Sequence, residues 1–165
     1  VADITYIRTH AGWLYLAAVL DLFSRKVVGW AMAPTMTAEL VCTALQMAII
    51  QRQPAAGLIV HSDQSSQYAS DLYRTLLHDY GLIGSMSRKG NCWDNAVMER
   101  FFGSLKTERT DGKKYLSRAH AKADVIDYIE NFYNRERLHS TLNYMSPVQY
   151  EKINRSLFKG VSTFT

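Results

Sequence analysis

The first third of the chain contains three strand-like segments in close succession, and they restrict the folds open to it. Residues 3–9, 13–22 and 26–32 are rich in β-branched and aromatic side chains, as strands are. Only short polar stretches separate them. Because sequential strands on short loops pair with their neighbours, we expect an antiparallel meander at the start of the domain.

Helical periodicity follows the meander. Apolar residues recur at helical spacing from Leu40 to Ile49, with Thr37 as the expected N-cap. The other predicted elements are a buried strand at 58–60, a helix at 68–80 ended by Gly81, a strand at 82–86, and helices at 95–107, 117–137 and from Ser146-Pro147 onward. The order βββαβαβ, followed by helices, predicts an α/β domain.

Size and composition exclude several classes of protein. The 165 residues suffice for one hydrophobic core, and 47% hydrophobic with 21% charged residues is typical of a globular protein. The longest apolar stretch, Trp13–Leu20, is too short to cross a bilayer, and no signal peptide pattern is present. Cys42 and Cys92 are far apart, which argues against a disulfide scaffold and a zinc ribbon. We therefore expect a cytoplasmic protein without a membrane partner.

The positive charge is concentrated in the second half of the chain. Residues 1–85 hold five Lys or Arg against six Asp or Glu, a net charge of −1, whereas residues 86–155 hold thirteen against nine, a net charge of +4. A basic surface of this kind favours a polyanionic partner such as DNA. A solvated helical surface is the alternative.

Two carboxylates occupy positions that favour a metal site. Asp3 opens a strand of apolar and β-branched residues, where a carboxylate is unfavourable unless a cation compensates it. Asp63 follows the end of a short strand, where open α/β sheets bind ligands. The alternatives are a terminal exposed Asp3 and an Asp63 that caps the next helix. Asp21 is expected to cap a turn rather than to join the metal site.

A third carboxylate lies on the predicted helix at 95–107. Val97, Phe101 and Leu105 form the expected buried stripe of this helix, so Glu99 and Lys106 lie on another face, through Phe102 or Gly103. That face can offer a carboxylate to a metal ion and an ammonium group to a phosphate. A solvated Glu and Lys on an ordinary amphipathic helix is the alternative.

Two further segments are candidates for DNA contact. Arg88, Lys89 and Asn91 flank a glycine that would let the backbone approach a nucleic acid strand. Arg135 and Arg137 lie beside aromatic and amide groups at the end of the long helix. A capped helix end with surface charges explains the second segment equally well.

Six ordered motifs together resemble the catalytic domain of OrfB-type DDE transposases of the IS-three insertion-sequence family, relatives of the retroviral integrase core. The motifs are Asp3-Ile4-Thr5-Tyr6-Ile7, residues 20–26, His61-Ser62-Asp63, residues 85–96, residues 104–108 and residues 133–140. The resemblance runs from Asp3 to about Glu151. It implies a ribonuclease-H-like fold, a five-stranded mixed sheet flanked by helices, with extra C-terminal helices.

The resemblance also implies the site and its partners. Asp3, Asp63 and Glu99 are then the catalytic and metal-binding residues, with 59 and 35 residues between them, for two Mg²⁺ ions that Mn²⁺ can replace. Lys106 matches a basic position near the DNA end. Transposon ends, target DNA and other copies of the chain in an oligomer are the implied partners. Residues 1–155 would be the catalytic core and 156–165 a tail, with a DNA-binding region upstream of Val1.

One residue departs from the family pattern. The family usually has glycine where this chain has Ser65. If this position requires a positive φ, serine would cost about 1 kcal/mol or more and displace Asp63.

The chemistry expected from these residues is metal-dependent attack on a phosphodiester. Water as the nucleophile gives strand cleavage, and a 3′-hydroxyl gives strand transfer, without a covalent protein intermediate. Lys106, Arg88 and Lys89 would hold phosphates. The rival hypotheses are a ribonuclease-H-like nuclease that only cleaves, and a catalytically silent DNA-binding or assembly module.

Overall fold

The computed structural model describes residues 1–87 and 95–154, and the elements within them follow the predicted order. The strands are β1 (Ala2–Thr9), β2 (Gly12–Leu20), β3 (Val27–Ala33), β4 (Ile59–Ser62) and β5 (Ile83–Met86). The α-helices are α1 (Ala38–Arg52), α2 (Asp71–Asp79), α3 (Ala96–Leu105), α4 (Arg118–Asp127) and α5 (Pro147–Ile153). π-helical turns extend α3 over Lys106–Thr110 and α4 over Tyr128–Tyr133, and Ser140–Leu142 forms a 3₁₀ turn.

The strands contain both antiparallel and parallel pairs. β1, β2 and β3 form the predicted antiparallel meander, whereas β4 and β5 pair in parallel. Hydrogen bonds divide the five expected strands into two sheets, although β4 lies beside β1. One reason is local: the amide of Ile4 donates to the Asp3 carboxylate (2.7 Å) and is used there instead of in a ladder.

Two apolar clusters cover opposite faces of the meander. Alternate residues of a strand point to opposite faces, so β2 contributes Ala17 and Val19 to one cluster and Leu16 and Ala18 to the other. The first cluster packs against α1 and α2, and the second packs against α3, α4 and the π-helical turn that follows α4. α3, which carries Glu99, is therefore fixed on the second face by buried side chains.

β4 differs from the buried strand that its composition predicts. Val60 is buried at 6% exposure, but Leu58 and Ile59 are 51% and 62% exposed. Ile83, the partner of Ile59 on β5, is 53% exposed. The prediction of a buried strand is wrong because one side of the β4–β5 pair lacks a covering layer among the described residues.

Helix starts follow local capping chemistry. α2 begins at Asp71 and not at Tyr68, because the Ser70 hydroxyl accepts the Tyr73 N–H (3.2 Å). Thr37 is the N-cap residue of α1, as predicted. Ser146 caps α5 through a complete capping box with Gln149, and Pro147 occupies the first turn.

Asp21 lies in a turn, as predicted. Its Oδ1 accepts the N–H of Phe23 (2.8 Å), and its Oδ2 pairs with Arg52 of α1 (3.0 Å). Arg52 also pairs with Glu151 of α5, which in turn pairs with Lys26 (3.4 Å). These ion pairs connect the turn between β2 and β3 to the first and last helices, α1 and α5.

Asn134 links the C-terminal helices to the meander. Its side-chain amide accepts the N–H of Val27 (2.9 Å) and donates to the carbonyl of Val27 (3.0 Å). Its own carbonyl accepts the N–H of Val148 (3.0 Å). Asn134 is 1% exposed, so these bonds satisfy a buried polar group and fix α5 relative to β3.

Cys42 is buried and unpaired with another cysteine, while Cys92 lies outside the described residues. No helix among residues 1–87 and 95–154 has the length and apolar character needed to cross a bilayer.

Candidate active site

Asp3 lies near the start of β1, paired in register with Ala18 of β2. Its side chain is partly buried, and its Oδ1 accepts the N–H of Ile4. The pKa of Asp3 is raised from its ordinary value of 3.8 to about 6. Burial is the largest cause, the Ile4 hydrogen bond opposes it, and the charges of Asp63 and Glu99 add to it. The three predicted acids therefore interact electrostatically.

Asp63 follows β4 directly. Its Oδ1 accepts the N–H of Ser65 (3.0 Å), which holds the carboxylate in a tight turn. Ser62 beside it is 2% exposed, and its carbonyl accepts the N–H of Ser87 (2.9 Å), which follows β5. The end of the parallel β4–β5 pair thus positions Asp63.

Ser65 does not strain this turn. The non-glycine residues with positive φ in the described chain are Arg25, Gln53, Asn143 and Tyr144, so Ser65 keeps an ordinary backbone conformation. The expectation that serine would cost energy here and displace Asp63 is wrong. A glycine is unnecessary because the Asp63 carboxylate closes the turn by bonding to the Ser65 amide.

Glu99 lies in the first turn of α3 and is exposed. The apolar face of α3 is wider than the predicted stripe, since Met98, Phe101, Phe102 and Leu105 are buried and Val97 is only partly buried. With Phe102 buried, the face shared by Glu99 and Lys106 passes through the exposed Gly103. Glu99 and Lys106 thus share one open helix surface.

The three carboxylates come from three different elements. β1, the end of β4 and the first turn of α3 each supply one. In the part of the chain that the structure describes, however, no three His, Cys, Asp or Glu side chains stand close enough together to hold a metal ion. The three acids are therefore related by electrostatic interaction and not by close approach of their side chains. Glu99 is exposed, so its side chain has room to change rotamer.

Tyr68 is a residue of this site that the sequence did not reveal. It is 1% exposed, and burial together with the charges of Tyr73, Asp3 and Asp63 raises its pKa well above the ordinary value of 10. Its hydroxyl therefore stays protonated at neutral pH. The polar run that precedes it was the available signal, but a helical pattern at 68–80 concealed the role of Tyr68.

Lys106 borders a groove of about 320 Å³ between β1 and the π-helical turn after α3. Its Nζ lies 5.0 Å from the centre of the Tyr6 ring, which meets Trp13 edge-to-face at 5.0 Å. Arg8 and Lys113 also line the groove, as does Asp111. The groove thus combines exposed aromatic rings with an excess of cations.

The other predicted DNA contacts divide into three groups. Arg88, Lys89 and Asn91 lie outside the described residues. Arg135 is exposed. Arg137 makes an ion pair with Glu108 (2.7 Å) and donates to Ser104 (3.1 Å). The pKa of Glu108 is lowered, first by its hydrogen bond from Arg137. Arg137 therefore has a structural role whatever else it binds.

Replacing Asp3 with Asn should stabilise the metal-free protein at neutral pH. The folded protein binds the Asp3 proton more tightly than the unfolded chain, so the stability cost of ionising Asp3 is absent below about pH 4 and complete above about pH 6. We expect Asp3→Asn to raise the free energy of unfolding by about 2 kcal/mol at pH 7, allowing for partial solvent exposure, and to leave it unchanged at pH 4. Chemical denaturation with EDTA measures the difference.

The wild-type protein and Asp3→Asn share a second group, His139, whose titration has the opposite effect on stability. Burial lowers the pKa of His139 to about 4, so His139 makes stability rise with pH over the same interval. His139 is present in both proteins and drops out of the difference. A difference that stays constant from pH 4 to pH 7 would contradict this description of Asp3.

Solved structures define the fold of this chain. It aligns with the catalytic core domain of the HTLV-2 integrase in complex with magnesium at a TM-score of 0.66 and 15% identity, covering 90% of this chain and 92% of that one. A chain of the simian T-cell lymphotropic virus intasome aligns at 0.72 and 17% identity, covering 90% and 52%. The fold is that of retroviral integrase cores, and the predicted ribonuclease-H-like fold is confirmed.

Sequence comparison then gives the family. Two integrase core domain models match residues 1–92 and 99–155, and the chain belongs to the integrase core domain family. It is 52% identical over 152 residues to the transposase InsF for insertion sequence IS3A of Escherichia coli strain K12, covering 92% of this chain and 53% of InsF. It is 47% identical over 154 residues to the transposase for insertion sequence element IS904 of Lactococcus lactis, covering 93% and 61%. The chain thus spans a little over half the length of these relatives, and the predicted resemblance is confirmed.

Proposed function

We propose that this chain is the catalytic core of a DDE transposase that cleaves DNA strands and joins them to new sites. The observation that carries the proposal is the placement of Asp3 on β1, Asp63 directly after β4 and Glu99 in the first turn of α3, in a chain with the integrase core fold. Transposases are its similar relatives, at 52% and 47% identity. Residues 1–155 would form this core, acting on DNA in the cytoplasm.

The donor set suits two Mg²⁺ or Mn²⁺ ions. Carboxylate oxygens are the ligands that hard divalent cations prefer, and the raised pKa of Asp3 shows a cost of ionisation that a bound cation would offset. Asp3, Asp63 and Glu99 would hold the ions after a rotamer change of Glu99. When bound, such ions activate a water or a 3′-hydroxyl and stabilise the leaving oxygen. The HTLV-2 neighbour was solved in complex with magnesium.

The chain itself contributes orientation and position. Backbone amides of Ile4 and Ser65 each hold one oxygen of Asp3 and Asp63, so these carboxylates keep fixed directions. Tyr68 is buried at 1% exposure, and its hydroxyl keeps its proton because burial raises its pKa. Water or a 3′-hydroxyl then attacks the phosphodiester, and the leaving 3′-oxygen departs without a covalent bond to the protein.

DNA would be held beside this centre by cations. Lys106 lies two helical turns from Glu99 on the same open face, beside the groove that contains Tyr6 and Trp13. We also propose DNA contacts for Arg88, Lys89, Asn91, Arg135 and Arg137. Joining two DNA ends requires more than one active site, so a homo-oligomer is the expected active form. The HTLV-2 neighbours were solved in trimeric and dimeric forms.

A strand-transfer assay tests the proposed function. A labelled duplex with a pre-cut 3′ end matching the element is incubated with the protein, plasmid DNA and Mg²⁺. We expect the label to appear in the plasmid as a Mg²⁺-dependent product that EDTA prevents. Cutting without joining would assign a cleavage-only nuclease. Neither cutting nor metal binding would assign a silent module, and both outcomes overturn the proposal.

A further inference from the structure

A second cavity lies on another face of α3 and is lined by cationic side chains. Its volume is about 130 Å³, and Arg25, Arg100 and Arg137 all line it. A water molecule occupies about 30 Å³ in the liquid, so the cavity has room for a phosphate group. Among the described residues that line it, none is acidic. The three arginines come from distant parts of the chain, and the fold brings them together.

Cationic side chains outnumber anionic ones in the described part of the cavity wall. The pKa of His139, which lines the cavity, is lowered to about 4, mainly by burial and also by the charges of Arg137 and Arg25, against the opposing charge of Glu108. Arg137 is compensated by its ion pair with Glu108. Arg25 and Arg100 add charge beyond that pair. Bringing like charges together is unfavourable, and it is a feature of sites that bind anions.

Arg25 holds an uncommon backbone conformation at this cavity. Its φ is 60°, in the left-handed region that non-glycine residues seldom adopt. The turn that imposes this φ is closed by the Arg25 N–H donating to the carbonyl of Asp21 (2.8 Å). Because Asp21 is itself paired with Arg52 of α1, the position of Arg25 is fixed by the fold.

His139 supplies an independent observation. Its Nε2 is buried and has no hydrogen-bond partner among the described residues. The ring is held edge-on against Tyr133, with centres 5.0 Å apart, and Tyr133 also lines the cavity. His139 and Tyr133 thus form an aromatic wall of the cavity beside the arginines.

We infer that this cavity binds a phosphate group of a nucleic acid strand, with Arg25, Arg100 and Arg137 as the donors and His139 beside them. Guanidinium groups bind phosphate through two parallel N–H bonds, which suits three arginines around one anion. Arg100 follows Glu99, and consecutive residues of a helix lie about 100° apart around its axis. Arg100 therefore lies on the face of α3 next to that of Glu99. The inference rests on the proposed function for the identity of the strand.

Binding of a labelled 30-base-pair DNA duplex, measured by fluorescence anisotropy at several salt concentrations, tests this site. Ca²⁺ replaces Mg²⁺ so that the DNA stays uncut. We expect Arg25→Gln and Arg100→Gln each to weaken binding about fivefold to tenfold and to lower the salt-dependence slope by about 0.9, as the loss of one phosphate contact does. Arg25→Lys should recover part of the affinity, because lysine keeps the positive charge but lacks the parallel N–H donors of the guanidinium group.

The matched control is Arg74→Gln, which removes the same charge from an exposed position of α2. It should leave the affinity and the slope unchanged. If Arg25→Gln and Arg100→Gln behave like this control, the inference is overturned. Arg100 is exposed on α3, so its variant decides the question even if the Arg25 variants do not fold.

Inorganic phosphate alone separates the two sources of the anion. We expect it to shift the His139 ring signal in the NMR spectrum of the wild-type protein and not in that of Arg25→Gln. Phosphate binding with unchanged DNA affinity in all variants would assign a free anion and overturn the nucleic acid part. No step of the test requires DNA cutting. A protein without strand-transfer activity whose Arg25 and Arg100 variants still lower the salt-dependence slope would refute the proposed function but support this phosphate site.

Discussion

Replacing Asp63 with Asn, or Glu99 with Gln, should reduce Mg²⁺-dependent strand joining to the level of the uncatalysed reaction. Each change keeps the size of the side chain and removes one of the negative charges that raise the pKa of Asp3. Because cation binding requires the full set of carboxylates, losing one removes both cleavage and joining. The strand-transfer assay with a pre-cut DNA end measures the loss.

The matched control for this loss is Glu39→Gln. Glu39 is an exposed acid in the first turn of α1, as Glu99 is in the first turn of α3. Its replacement should leave strand joining unchanged. Circular dichroism and melting curves should show all three variants folded, since Asp63 and Glu99 are not part of either apolar cluster. Undiminished joining by Asp63→Asn or Glu99→Gln would refute the assignment.

Replacing Gly29 with Ala should destabilise the domain by about 4 kcal/mol or more. Gly29 lies on β3 where α1 crosses it, and an added Cβ would lie 2.1 Å from the carbonyl oxygen of Ala44 and 2.8 Å from the backbone nitrogen of Ala48. Both atoms belong to the backbone of α1, so relief requires moving the helix away from the meander. Chemical denaturation of purified protein measures the change.

Gly103→Ala is the matched control for Gly29→Ala, and we expect it to change stability in the opposite direction. Gly103 lies inside α3, and no described atom is within 4 Å of the Cβ that would be added. Alanine favours the helix over glycine by about 0.5–1 kcal/mol, so the variant should be slightly more stable. Equal effects of the two changes would show that α1 does not approach β3 as closely as described.

Local chemistry explains what could be predicted from the sequence. Thr37 and Ser146 are N-cap residues whose helices start where expected, and the cap at Ser146 is a capping box made with Gln149, three positions away. The turn at Asp21 follows the same rule, since its carboxylate bonds an amide two residues later. The local contexts of Asp3, Asp63 and Glu99 left alternatives open, and the resemblance of six ordered motifs to one family was needed to propose them as a set.

Contacts between distant residues explain the rest. Tyr68 is buried in the first apolar cluster with Tyr73, and its pKa responds to Asp3 and Asp63 through packing that no local pattern encodes. The cavity around His139 needs Arg25 from one end of the meander and Arg137 from a loop more than a hundred residues later. The exposure of Ile59 depends on which side of β4 a helix covers. The run Leu58-Ile59-Val60 is apolar throughout, so it does not indicate which side is covered.

The most direct test of the three-acid site is X-ray diffraction from crystals of the protein grown with Mn²⁺, collected at the manganese absorption edge. The account predicts two anomalous peaks contacted by the carboxylates of Asp3, Asp63 and Glu99, and their loss in Asp63→Asn crystals. Ordered carboxylates with no peak between them in excess Mn²⁺, or peaks bound only by other residues, would contradict it.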